Sequence, residues 1–352
     1  MPRLPRGKKK QRRSLKSRYR FSPNPLLIIA LVFLLLIVIP SILVPDRYLF
    51  EPPSSIQPNY VEPSLRVLDH RTGQVHNLLL EDYVVGVVGA EMPASFEMEA
   101  LKAQAVCART YACKRIEMYA LTPNPAHPTA DVCSNPNHCQ AWKSEVELQR
   151  TWGLLQNTRN LRKVTEAVKS THGQVLTWNG ALIDPVYHST CGGRTENSED
   201  VWALKIPYLR SVSCNCREQA PRYEARASLS WDEVEKHLQI PIALPVTAEL
   251  DTSRKSQNLI QPGQKSPTGR LKTIEVTGHS LAASEFRQRL GLNSTWLTWE
   301  TNSQGITFQT RGFGHGVGLC QYGANQMASE GKKYHEILKY YYQGVEILSG
   351  SR

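Results

Sequence analysis

The first twenty residues contain no acidic side chain, and residues 26–44, LLIIALVFLLLIVIPSILV, contain no charge and no polar group except Ser41. No small-residue cleavage site follows at Pro45-Asp46-Arg47, and no repeat of fixed period runs through the chain. The absence of acid leaves ten Lys/Arg ahead of an apolar run of nineteen residues, long enough to span a bilayer. The apolar run exceeds the core of a secretory signal, which with the missing cleavage site favours an anchor over a cleaved leader. Basic excess ahead of the span predicts a cytoplasmic tail over residues 1–25, a transmembrane helix over 26–44 and an extracytoplasmic location for everything after residue 45.

The rest of the chain carries almost no net charge. Ten of the 42 Lys/Arg lie in the tail, leaving 32 against 31 Asp/Glu, a net of +1. A nucleic-acid partner is therefore not expected, and the tail reads as a topology signal and an anionic-lipid contact. Residues 45–64 carry Pro45, Pro52, Pro53, Pro58 and Pro63, an extended linker. About 285 residues remain, 65–349, ample for a buried core as one large domain or two lobes. Periodicity predicts strands over 65–68, 174–178, 182–188, 272–277 and 305–310, and helices over 97–119, 158–170, 231–238, 283–290 and 319–330. That mixed order predicts an α+β fold. Residues 240–270, rich in Pro, Ser, Gln and Lys, read as a long surface excursion.

Four segments carry candidate chemistry. In GAEMPASFEMEALKAQAVCARTYA, Pro93 separates Glu91 from a following helix on which Lys102 and Arg109, seven apart, share one line. A carboxylate then stands near two cations. His127, Cys133, His138 and Cys139 offer four ligands of the kind tetrahedral zinc takes, with Pro128, Asn135 and Pro136 letting the chain wrap an ion. Closing such a site contributes about 10–16 kcal/mol of apparent binding energy. A Cys133–Cys139 disulfide with two surface histidines is the alternative, and spacing alone leaves both open. The stretch Tyr187-His188-Ser189-Thr190-Cys191-Gly192-Gly193 follows a predicted strand and reads as turn chemistry ahead of a Cys191–His188 nucleophile pair. In RGFGHGVGLCQYGA the glycine spacing is wrong for a dinucleotide fingerprint, so the glycines read as close backbone approach, with His315 presented at the turn. Cys107 and Cys113, six apart on one helix, cannot bridge each other, and Cys214-x-Cys216 is too tight for an easy mutual bond.

Taken together these segments resemble the SpoIID/LytB family, over roughly residues 65–349. The blocks that carry the resemblance include EMPASFEMEALKAQAVCARTYA, CSNPNHCQAW, THGQVLTWNGALIDPVYHSTCGGRTE, VWALKIPYLRSV and RGFGHGVGLCQYGANQMASEGKKYHEILKYYYQGVEI. The resemblance implies a two-lobed α+β domain with a central cleft and a peptidoglycan lytic transglycosylase, the family including stage II sporulation proteins. It implies Glu91 as the catalytic acid, Lys102 and Arg109 as cations gripping the lactyl carboxylate of stem-peptide-free muramic acid, and Tyr187, His188, Ser189 and His315 as cleft residues. It raises zinc, in a structural role, above the disulfide at His127, Cys133, His138 and Cys139. Cys191 and Cys320 stand where relatives commonly carry serine, which suggests a Cys191–Cys320 bridge. The LytB-type members imply the competing reading, a non-catalytic glycan binder that enhances a cell-wall amidase.

Overall fold

The computed structural model describes residues 62–242 and 259–349, together with Leu26, Val32 and Leu34. The expected transmembrane helix over 26–44 lies, apart from those three residues, outside the described part. Among the described residues no helix is long and apolar enough to cross a membrane.

The chain opens with β1 (Ser64–Leu68) and β2 (Val75–Leu79), an antiparallel hairpin that runs directly into α1 (Leu80–Glu91). Next come α2 (Met98–Met118), β3 (Val132–Cys133), which adds parallel to β1, and α3 (Glu145–Trp152) and α4 (Asn157–Lys169). Then β4 (Gln174–Trp178), β5 (Ala181–Leu182), β6 (Tyr187–His188) and the short α5 (Ser198–Val201) lead into β7 (Glu224–Ser230) and α6 (Trp231–Leu238). The C-terminal part comprises β8 (Ile260–Pro262), β9 (Thr273–Val276), β10 (His279–Ala282), α7 (Ala283–Arg289), β11 (Leu297–Thr301) and β12 (Gly305–Arg311). It closes with β13 (Leu319–Cys320), α8 (Gln321–Ser329), α9 (Tyr334–Tyr341) and β14 (Glu346–Ser349), which returns antiparallel to β4. The fold is α+β, as expected.

Two hydrophobic cores form. The larger surrounds α2, which packs on α1, α4, α8, α9 and β4. From Ala100 to Ala112 every residue of α2 except Lys102 is buried, and its alanines let neighbouring elements approach closely on all sides. The smaller core joins α6 and α7 to the sheets β10-β9-β8 and β11-β12-β7 through Trp231, Ile274, Phe286 and Phe308.

Three departures from the sequence expectation have identifiable physical causes. The expected strand over 182–188 is broken: its start pairs with β4 and its end with β13, while Pro185 between them has no N–H to give a ladder. The helix expected from 319 begins at Gln321, because Leu319 and Cys320 first pair parallel with Tyr187 and His188. Helix α1 was not expected, since two glycines and four valines give it poor intrinsic propensity. Tertiary packing overrides this: Tyr83, Val84, Val87 and Val88 are fully buried, and a Cβ at Gly86 or Gly89 would collide with Trp142 or Leu148. Of the expected surface excursion, residues 243–258 lie outside the described part, and Ile260–Pro262 is an edge strand on β9.

Candidate functional site

Glu91 is the last residue of α1. Met92, preceding Pro93, is extended at φ −121° and ψ 144°, so the helix must stop there and the Glu91 side chain leaves from its C-terminal end. The side chain keeps some surface open, while the atoms around it remove most of its water. One carboxylate oxygen, Oε1, accepts from the Ala141 N–H at 2.7 Å. Burial raises the pKa of this carboxyl, and the bonds from Ala141, Gln321 and Tyr187 only partly oppose that. The negative end of a helix dipole acts in the same direction as burial.

Four separate segments therefore meet at one acid: the end of α1, the 140–141 segment, β6 and the start of α8. The Tyr187 hydroxyl, with one proton to give, also lies 2.8 Å from Gln140 Oε1, and Gln140 Nε2 reaches Tyr83 Oη at 3.1 Å. Gln321 Nε2 lies 3.4 Å from Gln104 Oε1 on α2. Gln140 and Gln321 were missed by the sequence reading. Both sit inside motifs it picked out, one residue beyond a cysteine in each case, but neutral amides carry no titration or ligand signal.

Arg109 does not belong to this wall. It is 0% exposed, donates from Nε and Nη2 to the Glu81 carboxylate at 2.7 and 2.6 Å, and satisfies the Val168 and Gln174 carbonyls at 3.2 Å each. A guanidinium that is fully enclosed and gives four of its five N–H groups to protein acceptors cannot reach a substrate, which corrects the expected role. Lys102, half-buried, pairs with Glu99 at 2.9 Å. Neither cation is among the groups that shift Glu91: its pKa is raised, and its named partners are neutral donors.

The histidines are held in single neutral forms. His315 Nε2 meets the Tyr187 carbonyl at 2.9 Å and its Nδ1 accepts from the Val317 N–H at 3.1 Å. Burial lowers its pKa to about 4. His188 is 4% exposed, points Nδ1 at the Val317 carbonyl at 3.0 Å, and is pushed well below the usual histidine value by burial and then by His315. Neither ring is a free cleft base. His188 instead braces His315 edge-on at 5.4 Å, and His315 packs at 5.1 Å on Trp202, an indole 41% exposed that the sequence reading did not single out. Ser189 lies part-buried beside Thr190, with hydroxyls 3.4 Å apart.

The ligand set His127, Cys133, His138 and Cys139 converges, with all four ligand atoms within 4.8 Å of one another. Cys133 Sγ and Cys139 Sγ stand 3.5 and 3.3 Å from His138 Nδ1, and Cys139 Sγ stands 3.5 Å from His127 Nε2. Tetrahedral zinc with bonds of about 2.0–2.3 Å needs ligand edges of roughly 3.3–3.8 Å, so the residues fit the ion. His127 Nδ1 at 2.8 Å from the Ala130 carbonyl fixes the tautomer that leaves Nε2 for a metal. All eight cysteines are free thiols. The expected Cys191–Cys320 bridge is not formed: Cys191 Sγ is 3.4 Å from Cys216 Sγ, and both belong with Cys214 and Cys320 to a second group of four. Cys191 is fully buried and hydrogen-bonded from Gly193, which removes it from consideration as a nucleophile.

A mixed α+β domain with one desolvated glutamate at a helix end and a Cys/His knot beside it is the class this site defines. Residues 68–178 match the family model SpoIID, "Stage II sporulation protein". The chain is 40% identical over 273 residues to Stage II sporulation protein D of Bacillus subtilis, covering 78% of this chain and 75% of that one. It is 37% identical to Stage II sporulation protein D of Bacillus amyloliquefaciens, covering 83% and 81%. It is 31% identical to the Amidase enhancer of Bacillus subtilis, over 75% of this chain and 40% of that one. The chain belongs to the SpoIID/LytB family.

Proposed function

We propose that this protein is a membrane-anchored peptidoglycan lytic transglycosylase, with its catalytic domain outside the membrane and Glu91 as its acid and base. Family membership supports a role at the cell wall. The observation that carries the finer reading is the raised pKa of a partly open Glu91, held by neutral donors alone. A protonated Glu91 gives its proton to the oxygen linking N-acetylmuramic acid to N-acetylglucosamine. The resulting carboxylate then takes the proton of the muramic C6 hydroxyl as that oxygen closes on C1, leaving a 1,6-anhydro end. A hydrolase would need a second carboxylate at the sugar. Among the acids of the matching motifs, Glu196 is 0% exposed against Arg270, Glu99 is paired with Lys102, and Asp184 is paired with Lys114 and Arg115. Lys102, Tyr187 and Ser189 are the side chains from the matched motifs left to face a stem-peptide-free strand, and Trp202 offers a sugar ring a flat apolar surface.

Mass spectrometry of denuded glycan strands digested by the pure, zinc-loaded protein is expected to find anhydromuramic ends. Their complete absence would favour the second reading, a non-catalytic enhancer of a cell-wall amidase, which the Amidase enhancer similarity supports.

The pH profile has a defined sign. Glu91 must be protonated to act, so the rate falls as pH rises through its elevated pKa. His315, near 4, is already neutral above pH 5 and adds no limb there, and burial holds His188 well below the usual histidine value. Glu196, pushed up to about 7 by burial, is the other carboxyl able to titrate in this range. The alkaline limb is expected to vanish in the residual activity of Glu91→Gln; a limb that persists there belongs to Glu196 and contradicts the assignment.

Zinc fits the His127 set in a structural role, since four protein ligands leave no open position. The same loop ends at Gln140 and Ala141, which contact Tyr187 and Glu91. Cys139→Ser is therefore expected to lose one zinc per chain, melt several degrees lower and lose activity together. Unchanged metal content and melting would show that the knot holds no ion.

A further inference from the structure

Beyond the His127 set, four of the six other cysteines come together in a second place. Cys191 follows β6 in a Cys-Gly-Gly turn, Cys214 and Cys216 come from a Cys-x-Cys segment, and Cys320 ends β13 and caps α8. Their four sulfurs lie within 4.8 Å of one another, although the residues span 130 positions of sequence. Cys191, Cys216 and Cys320 are fully buried. We propose that Cys191, Cys214, Cys216 and Cys320 form a tetrathiolate centre for one zinc ion, separate from the His127 set.

The surroundings suit thiolates rather than thiols. Cys320 Sγ accepts from the N–H groups of Cys191 at 3.3 Å and Gly323 at 3.4 Å, the latter in the first turn of α8, where the positive end of the helix favours an anion. Gly193 N–H donates to Cys191 Sγ at 3.3 Å, and the Tyr341 hydroxyl lies 3.2 Å from Cys214 Sγ. Arg270, 1% exposed, bonds to the Cys191 carbonyl and so places a buried cation against the cluster. Glycine is required at 323, since a Cβ there would collide with Cys214 Sγ and Tyr341 Oη. Four sulfurs in a closed apolar setting select zinc or iron among first-row metals, and the lack of any open position makes the centre structural.

Such an ion would tie β13, through Cys320, to the turn that follows β6, through Cys191. The β6–β13 pair carries Tyr187, and Cys320 is followed directly by Gln321, so the centre would fix two of the groups around Glu91. The inference concerns metal binding alone and stands whether or not the glycan reading holds.

The test is metal content of the full-length protein purified without chelator. Two zinc per chain are expected for wild type, one for Cys139→Ser, and one for Cys191→Ser/Cys320→Ser. One zinc in wild type, retained by the second variant, would overturn the proposal, as would iron in place of the second zinc. Because that variant could fail to fold, the wild type also serves. Alkylated in denaturant without reductant, all eight cysteines should label, and in the native protein Cys214 should resist alkylation until the metal is stripped. Disulfide-linked peptides joining any of the four would overturn the centre. Cobalt exchanged into Cys139→Ser should give the intense sulfur-to-metal absorption of a four-sulfur site, and its absence would count against it.

Discussion

Glu91→Gln is expected to lower turnover of denuded glycan by about 10²–10⁴-fold, the usual contribution of a general acid/base, while glycan binding is retained. The substitution keeps the shape and the acceptor for the Ala141 N–H, so the recess should survive. Stability gives an independent check. A carboxyl whose folded pKa is raised stabilises the fold fully only below its unfolded pKa, and that contribution is lost as pH rises through the folded value. Above that folded value the wild type has lost it, and there the Gln variant should melt no lower. Loss of turnover with an unchanged melting temperature assigns the residue to chemistry; full turnover would refute the proposed mechanism.

The second large effect concerns Arg109. Glu81→Ala removes the only carboxylate hydrogen-bonded to this enclosed guanidinium among the described residues, leaving a buried charge with two backbone carbonyls. Such a lesion costs about 3–5 kcal/mol. In a domain of this size that corresponds to a fall in Tm on the order of 10 °C. Replacing both partners, Glu81→Leu with Arg109→Met, should recover much of the loss, because a well-packed apolar pair carries no desolvation penalty. If Arg109 instead gripped substrate, Glu81→Ala would change KM with little effect on Tm. Thermal melts and kinetics of the two variants separate the cases.

Helix α2 shows how far local pattern reaches. Its bounds lie within one residue of the expected 97–119 at each end, because Pro93 and a long run of helix formers act on the chain directly. Helix α1 shows the limit, since its valines and glycines are helical only because Trp142 and Leu148 press on them from elsewhere in the chain. The same division holds at the site. Four candidate ligands within a thirteen-residue stretch announce the His127 set by spacing, whereas Cys191, Cys214, Cys216 and Cys320 meet only once β6 and β13 pair.

The amino-acid order alone determined the α+β class, the family resemblance, Glu91 as the acid of interest and the four ligands of the His127 loop. Each rests on residues near one another along the chain, where spacing and propensity act directly. Tertiary structure decided that Arg109 turns inward to Glu81, that the histidines stay neutral, that Tyr187 and Gln321 surround Glu91, and that four distant thiols converge. Burial and long-range contact set those properties, and neither is a function of local sequence.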